Sequence, residues 1–373
     1  MHFFVPKDDN FDISNHSKTS PPTTNLYGLP NQYKLEKKVA PISTYPIADF
    51  LAGIRAGNRS ILAKAITCIE SKKEEDKAFA KALINACLPN SGNAKKIGIT
   101  GAPGVGKSTF IETLGVQLLT QGHRVAVLAI DPSSQSSGGS ILGDKTRMAQ
   151  LAAQSEAFVR PSAAGETLGG VARKTREAIV LCEAAGYDII FVETVGVGQS
   201  EVAVHSMVDC FVLLLLPGAG DELQGIKRGI VEMANFLCIH KADGTRLPLA
   251  KEAQRAYRSA LHYFPTPTHG WQPEVWHCSS TAKEGITDFW ERISQYFEHL
   301  TKSGFLLQNR QEQALYWLEQ TIEQELKQKF YRHPSVASNW EATKAVVLAK
   351  SLSPFDAAEQ LLAIAFPSLD KKK

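Results

Sequence analysis

The segment Ile97–Thr109, IGITGAPGVGKST, fits the pattern G-x-x-x-x-G-K-[S/T]; an apolar run enters it and an amphipathic run, FIETLGVQLL, leaves it. That order constrains the fold more than any other feature, because a phosphate-cradling glycine loop works only between a strand and a helix. Gly101, Gly104 and Gly106 let successive backbone N–H groups turn inward without a Cβ in the way, with Val105 between them. Lys107 offers a charge to the outer phosphates of a nucleotide, and Ser108, followed by Thr109, offers a hydroxyl to Mg²⁺. The positive end of the following helix adds to both.

Around this loop the chain alternates short apolar runs with amphipathic stretches. The runs are KKIGIT, RVAVLAID, AFVRPS, YDIIFVE, CFVLLLLP and NFLCIHK, and Thr167–Ala185 is one of the stretches between them. Such alternation predicts an α/β fold with a mostly parallel sheet covered on both faces, its ligands at the carboxyl ends of the strands. The expected organisation is a flexible tail over 1–44, rich in Ser, Thr, Pro and Asn, and a helical unit over 45–94, interrupted at Gly57-Asn58. A P-loop nucleotide domain over 95–300 and a helical arm over 301–373 follow. Leu315, Leu318, Ile322 and Leu326 form one stripe of that arm, to be buried within the chain or against a twin.

A formal charge of +3, with no Lys/Arg run beside aromatic residues, argues against a nucleic-acid partner. The longest apolar stretch, Phe211–Leu216, is far too short to span a bilayer, and the first residues lack the pattern of a secretory signal. No membrane partner is expected, and a cytoplasmic or matrix-like location is. The six cysteines are scattered without a C-x-x-C pair and the ten histidines form no cluster, so buried thiols are expected and a zinc site is not.

A magnesium-bound triphosphate needs a second anchor. YDIIFVETVGVG offers Glu193 for the metal and Gly196, three residues on, for a γ-phosphate contact. Asp131, after RVAVLAI, is a further candidate acid, or the cap of the turn DPSS; Asp144, in SSGGSILGDKTRM, is another, or an ordinary loop acid. Base choice points to HKAD, where His240, Lys241 and Asp243 resemble the N-K-x-D element of GTPases. A carboxylate at Asp243 can accept from both guanine donors, a charge-assisted contact of roughly 1.5–3 kcal/mol that adenine cannot reciprocate. A histidine at position 240 can replace one hydrogen bond of the usual Asn amide but not both. CSSTAKEGI, with Ser279 and Ser280, suits the loop that closes over the base. The residue after Gly196 is Val197, not a water-orienting Gln, and Gln199 lies further on; unaided hydrolysis is expected to be slow.

Taken in order, ITCIES, ITGAPGVGKST, DPSS, SGGSILGDKTRM, VRPS, LGGVARKTREAI, YDIIFVETVGVGQSE and PGAGDELQGIKRGI resemble the GTPases that accompany adenosylcobalamin-dependent methylmalonyl-CoA mutase. Those proteins were formerly labelled lysine/arginine/ornithine transport-system kinases. The resemblance spans roughly residues 46 to 330 and implies a GTPase of the metallochaperone branch, using GTP and Mg²⁺. It also implies homodimers formed through a C-terminal helical extension, and a role in gating cobalamin delivery to the mutase and ejecting damaged cofactor. On that resemblance Lys107 and Ser108 serve phosphate and Mg²⁺, and Asp131, Asp144 and Glu193 are the acidic metal and switch residues. Gly218–Lys227, otherwise a solvated loop entering a helix, is then a segment that responds to the partner; its mixed charges suggest that Lys227, or another cation there, is brought to the γ-phosphate. Three other readings compete. A kinase of a periplasmic binding protein needs an exported chain. A nickel-insertion GTPase needs Cys/His ligands near the loop. A signal-peptide-binding GTPase favours a Met-rich groove, against four Met here.

Overall fold

The computed structural model describes residues 45–71, 73–130, 148–161, 168–194, 200–218 and 228–367. The expectations for 1–44, Asp131, Asp144, Gly196 and Lys227 fall outside these ranges.

Every apolar run named above becomes a strand: β1 Lys95–Gly101, β2 Val125–Ile130, β3 Ala157–Arg160, β4 Ile189–Thr194, β5 Cys210–Leu215 and β6 Phe236–Ile239. EVWH supplies a seventh, β7 Glu274–His277. All neighbours pair in parallel, in the order β3-β2-β4-β1-β5-β6-β7. The central strands are buried along almost their whole length, as a sheet covered on both faces requires. The chain leaves β1 to one side and later returns to its other side at β5, so the strand order reverses there. Ligand crevices of open α/β sheets form at such a point.

Local chemistry sets the helix ends. In the amino-terminal unit, α1 Ile47–Arg55 stops at Gly57, where φ is +70°, and Asn58 then caps α2 Arg59–Glu70 by accepting from the N–H groups of Ser60 and Ile61. The helix α3 Glu74–Cys87 completes that unit. The phosphate loop opens α4 Lys107–Thr120; a short α5 Ala149–Ala152 leads into β3, and α6 Leu168–Ala184 packs against α2 and α3. Short helices α7 Ser200–His205 and α8 Arg228–Met233 flank β5, and α9 Leu247–Leu261 and α10 Ile286–Lys302 flank β7. The arm is the long α11 Phe305–Arg332, then α12 Pro334–Leu348 and α13 Pro354–Ala365. Pro334 and Pro354 each sit at a helix start, where a missing N–H costs nothing.

The main core lies between the sheet and helices α4 and α10, around Ile97, Phe110, Phe191, Phe236, Phe289 and Tyr296. The arm stripe is not part of it. Leu315, Leu318, Ile322 and Leu326 are 61%, 56%, 49% and 51% exposed. All six cysteines are free and buried, and among the described residues no helix is long and apolar enough to cross a membrane.

Candidate nucleotide-binding site

The phosphate loop leaves β1 with Gly101, Gly104 and Gly106 at φ values of +148°, +78° and +100°, backbone positions that a side chain resists. A Cβ on Gly101 would lie 2.4 Å from the Leu214 carbonyl oxygen on neighbouring β5, and one on Gly106 would lie 2.7 Å from the His240 ring. Lys107 is buried and folds back over the loop, donating to the carbonyls of Gly101 at 2.8 Å and Ala102 at 3.3 Å. Val105 is buried, whereas Thr109 is exposed on the first helical turn.

Glu193 pairs with Ile99 on β1 and Ala129 on β2, near the end of β4. This places its buried carboxylate beside the loop, where Oε1 accepts from the Ser108 hydroxyl at 3.0 Å. One residue on, Thr194 donates to the Thr100 hydroxyl at 2.9 Å, tying the same two strand ends together. The set is a hydroxyl and a carboxylate with no sulfur or imidazole, the oxygen chemistry that suits a hard divalent cation.

The other end of the site is assembled from β6 and the loop after β7. His240 is buried and makes two hydrogen bonds rather than the single one expected: Nδ1 to the Val105 carbonyl and Nε2 to the Ser280 hydroxyl, both 2.7 Å. A carbonyl only accepts, so Nδ1 carries the proton and Nε2 accepts from Ser280. An imidazole can thus donate on one side and accept on the other, as an amide does. Burial holds the His240 pKa below its ordinary value, partly opposed by the Val105 bond. Lys241 takes a left-handed backbone at φ 60° and donates to the Gly104 carbonyl at 2.7 Å.

Asp243 accepts from Ser279 at 2.5 Å on Oδ2 and from Arg246 at 2.8 Å on Oδ1. The Ser279 bond, then the Arg246 bond, lower its pKa. Each oxygen keeps a second lone pair for another donor. Arg246 was not singled out from the sequence, although its position one helical turn after Asp243 was the available signal. The base-end loop is fixed by backbone bonds from Cys278 to Ile239 and from Ala242 to Cys278, both 3.0 Å, and by reciprocal bonds between Ser279 and Glu284.

The structure thus brings Gly101, Gly104, Val105, Gly106, Lys107, Ser108 and Glu193 together on one side, and His240, Lys241, Asp243, Ser279 and Ser280 on the other. His240 and Lys241 join the two groups through the carbonyls of Val105 and Gly104.

A parallel sheet with this loop at its strand-order reversal defines a P-loop nucleotide hydrolase, and the relatives that follow make it a GTPase. The sequence pattern of the family described as "Methylmalonyl Co-A mutase-associated GTPase MeaB" matches residues 62–335, and the chain belongs to that family. It is 43% identical over 320 residues to the GTPase ArgK of Escherichia coli, covering 86% of this chain and 97% of the relative. It is 46% identical over 320 residues to the mitochondrial methylmalonic aciduria type A homolog of Mus musculus, covering 83% of this chain and 77% of the relative. Among solved structures, the crystal structure titled LAO/AO transport system kinase superposes with a TM-score of 0.68 at 37% identity, covering 85% of this chain and 97% of the other.

Proposed function

We propose that this GTPase chaperones an adenosylcobalamin-dependent acyl-CoA mutase of the methylmalonyl-CoA mutase type, gating delivery of its cofactor and protecting or reactivating it. The observation that carries this reading is the family match, which spans residues 62–335 and takes in both ends of the nucleotide site.

In this reading the loop N–H groups and Lys107 hold the β- and γ-phosphates. The Lys107 ammonium is already held over the loop by two carbonyls, so little reorganisation is needed when the phosphates arrive. Ser108 and Glu193 would hold Mg²⁺, with Asp131 and Asp144 as further acids. When bound, the ion neutralises charge on the phosphate oxygens. Asp243 accepts from the guanine donors, Lys241 and Ser279 flank the base, and His240 with Ser280 ties the base end to the loop. Gly196 offers its N–H to the γ-phosphate, and Val197 beside it cannot orient water. Basal turnover is therefore slow, and a partner must supply what is missing. Lys227 is the cation we assign to that role; an arginine finger is worth about 10³–10⁵ in rate, and a lysine gives less. The exposed arm stripe supports a homodimer.

The test compares GTP hydrolysis by wild type and Lys227→Ala with and without the mutase. Stimulation of wild type alone is expected. Equal stimulation of both removes Lys227 from the mechanism, and stimulation of neither removes the mutase.

A further inference from the structure

The face of α11 that carries Arg310, Gln313 and Trp317 bonds the short segment Ser206–Asp209, the link between α7 and β5, with all three side chains. The spacing of these three residues places them on one side of the helix. Arg310 donates to both carboxylate oxygens of Asp209, at 2.9 and 2.7 Å, and to the carbonyls of Gly92 and Ala94. Gln313 donates to the Val208 carbonyl at 2.7 Å and Trp317 to the Ser206 carbonyl at 3.0 Å. Asp209, Gln313 and Trp317 are buried, and the Arg176 guanidinium of α6 lies 5.7 Å from the Trp317 ring centroid.

The same link also presses on the strand that enters the phosphate loop. Asp209 exchanges backbone and side-chain bonds with Lys96 near the start of β1: its N–H donates to the Lys96 carbonyl at 2.8 Å, and its carboxylate accepts from the Lys96 N–H at 3.1 Å. Val204 and Val208 lie against Gly98 so closely that a Cβ there would be 2.9 and 3.1 Å from their methyl carbons. Gly98 precedes Gly101 by three residues, and α7 begins at Ser200, seven residues after Glu193. The link is thus held from both sides, by α11 and by β1, and β1 in turn pairs with β4 so that Ile99 lies beside Glu193. Gln313 and Trp317 bond carbonyls of the link itself and Arg310 bonds its Asp209 carboxylate, so together they fix the path of the chain from α7 into β5.

We propose that Arg310, Gln313 and Trp317 are positioning residues for GTP hydrolysis. Each arm holds its own Ser206–Asp209 link, and through it α7 and β1, in the register that sets Glu193 against the phosphate loop. The proposal rests on reading Glu193 as the second anchor of the site.

The test uses the full chain with Gln313→Met and Trp317→Phe, which remove the two donors and keep the apolar bulk. Loss of buried hydrogen bonds of this kind corresponds to about a three- to tenfold change in rate, so kcat should fall by that much in the double variant. KM for GTP should stay within about twofold, because the loop and base contacts are untouched. Val336→Ala, which truncates a buried residue of α12 away from the link, controls for general loosening of the arm and should leave kcat unchanged. An unchanged kcat in the double variant, or an equal fall in the control, overturns the proposal. If the double variant does not fold, Gln313→Met alone is read by the same criteria. Glu193→Gln with an unaltered Mg²⁺ titration would sink the anchor reading instead, while leaving the effect of the arm on kcat measurable.

Discussion

Ser108 donates its hydroxyl hydrogen to Glu193 with Oγ 3.0 Å from Oε1, joining the first turn after the phosphate loop to the end of β4. Both groups present oxygen to the same point, and only Glu193 brings charge. Glu193→Gln keeps the shape and removes the charge, so the Mg²⁺ needed for half-maximal hydrolysis should rise by about tenfold or more. Nucleotide binding itself should change much less. A Mg²⁺ titration of GTP hydrolysis checks this, and superimposable curves for variant and wild type would contradict it.

Asp243 is held by Ser279 and Arg246, so its carboxylate is oriented before any base arrives. Asp243→Ala should cut GTP affinity by about 10- to 150-fold, the size of a charge-assisted pair of hydrogen bonds, and leave ATP affinity nearly unchanged. Calorimetric titration with both nucleotides reads the ratio. A preference for GTP that survives the substitution would assign base selection to other residues.

His240 links protonation to stability. Its folded pKa is lowered by burial, so near the ordinary histidine value of about 6.5 the unfolded chain takes up a proton that the folded chain refuses. The stabilising contribution is complete above that pH and is lost as the pH falls through it toward the lowered folded value. Melting curves of the nucleotide-free protein between about pH 5 and 7.5 should therefore show a steeper acid loss for wild type than for His240→Asn. Parallel pH profiles would mean that the ring is solvated when it titrates. The nucleotide-free form is the right sample, because bound phosphates titrate in the same range.

Much of this architecture was legible in the sequence because it rests on local signals. Six strands follow from apolar runs bounded by turns, and the break between α1 and α2 from Gly57-Asn58. The phosphate loop follows from glycines at fixed spacing. What was not legible depends on residues far apart in the chain. Nothing in the local sequence announces that Trp317 bonds the Ser206 carbonyl, or that Arg310 meets Asp209 across a hundred positions. His240 is a middle case. Its departure from the usual Asn was visible, but that its two nitrogens would span Val105 and Ser280 required the relative placement of two loops.

Leu315, Leu318, Ile322 and Leu326 recur at intervals of three and four along α11, so they line one side of it, and each is about half exposed or more. Leu307, Tyr331, Leu348 and Phe355 add exposed apolar surface on the same arm. Four exposed apolar side chains aligned on one side of a helix suit a surface that associates, and full burial of one such side chain is worth about 1.5–3 kcal/mol. A second copy presenting the same stripe is the occupant that symmetry favours, since a two-fold interface sets a patch against itself. Ile322→Lys places a charge mid-stripe in both partners at once, so two unpaired ammonium groups would have to be buried. Sedimentation velocity should show a dimer for wild type and a dissociation constant raised by about a hundredfold or more for Ile322→Lys. Because Arg310, Gln313 and Trp317 are left intact, the variant should still hydrolyse GTP at the basal rate. A wild type that stays monomeric at high concentration, or a Leu318→Lys/Ile322→Lys double variant that remains dimeric, would show that the stripe is not where two copies meet.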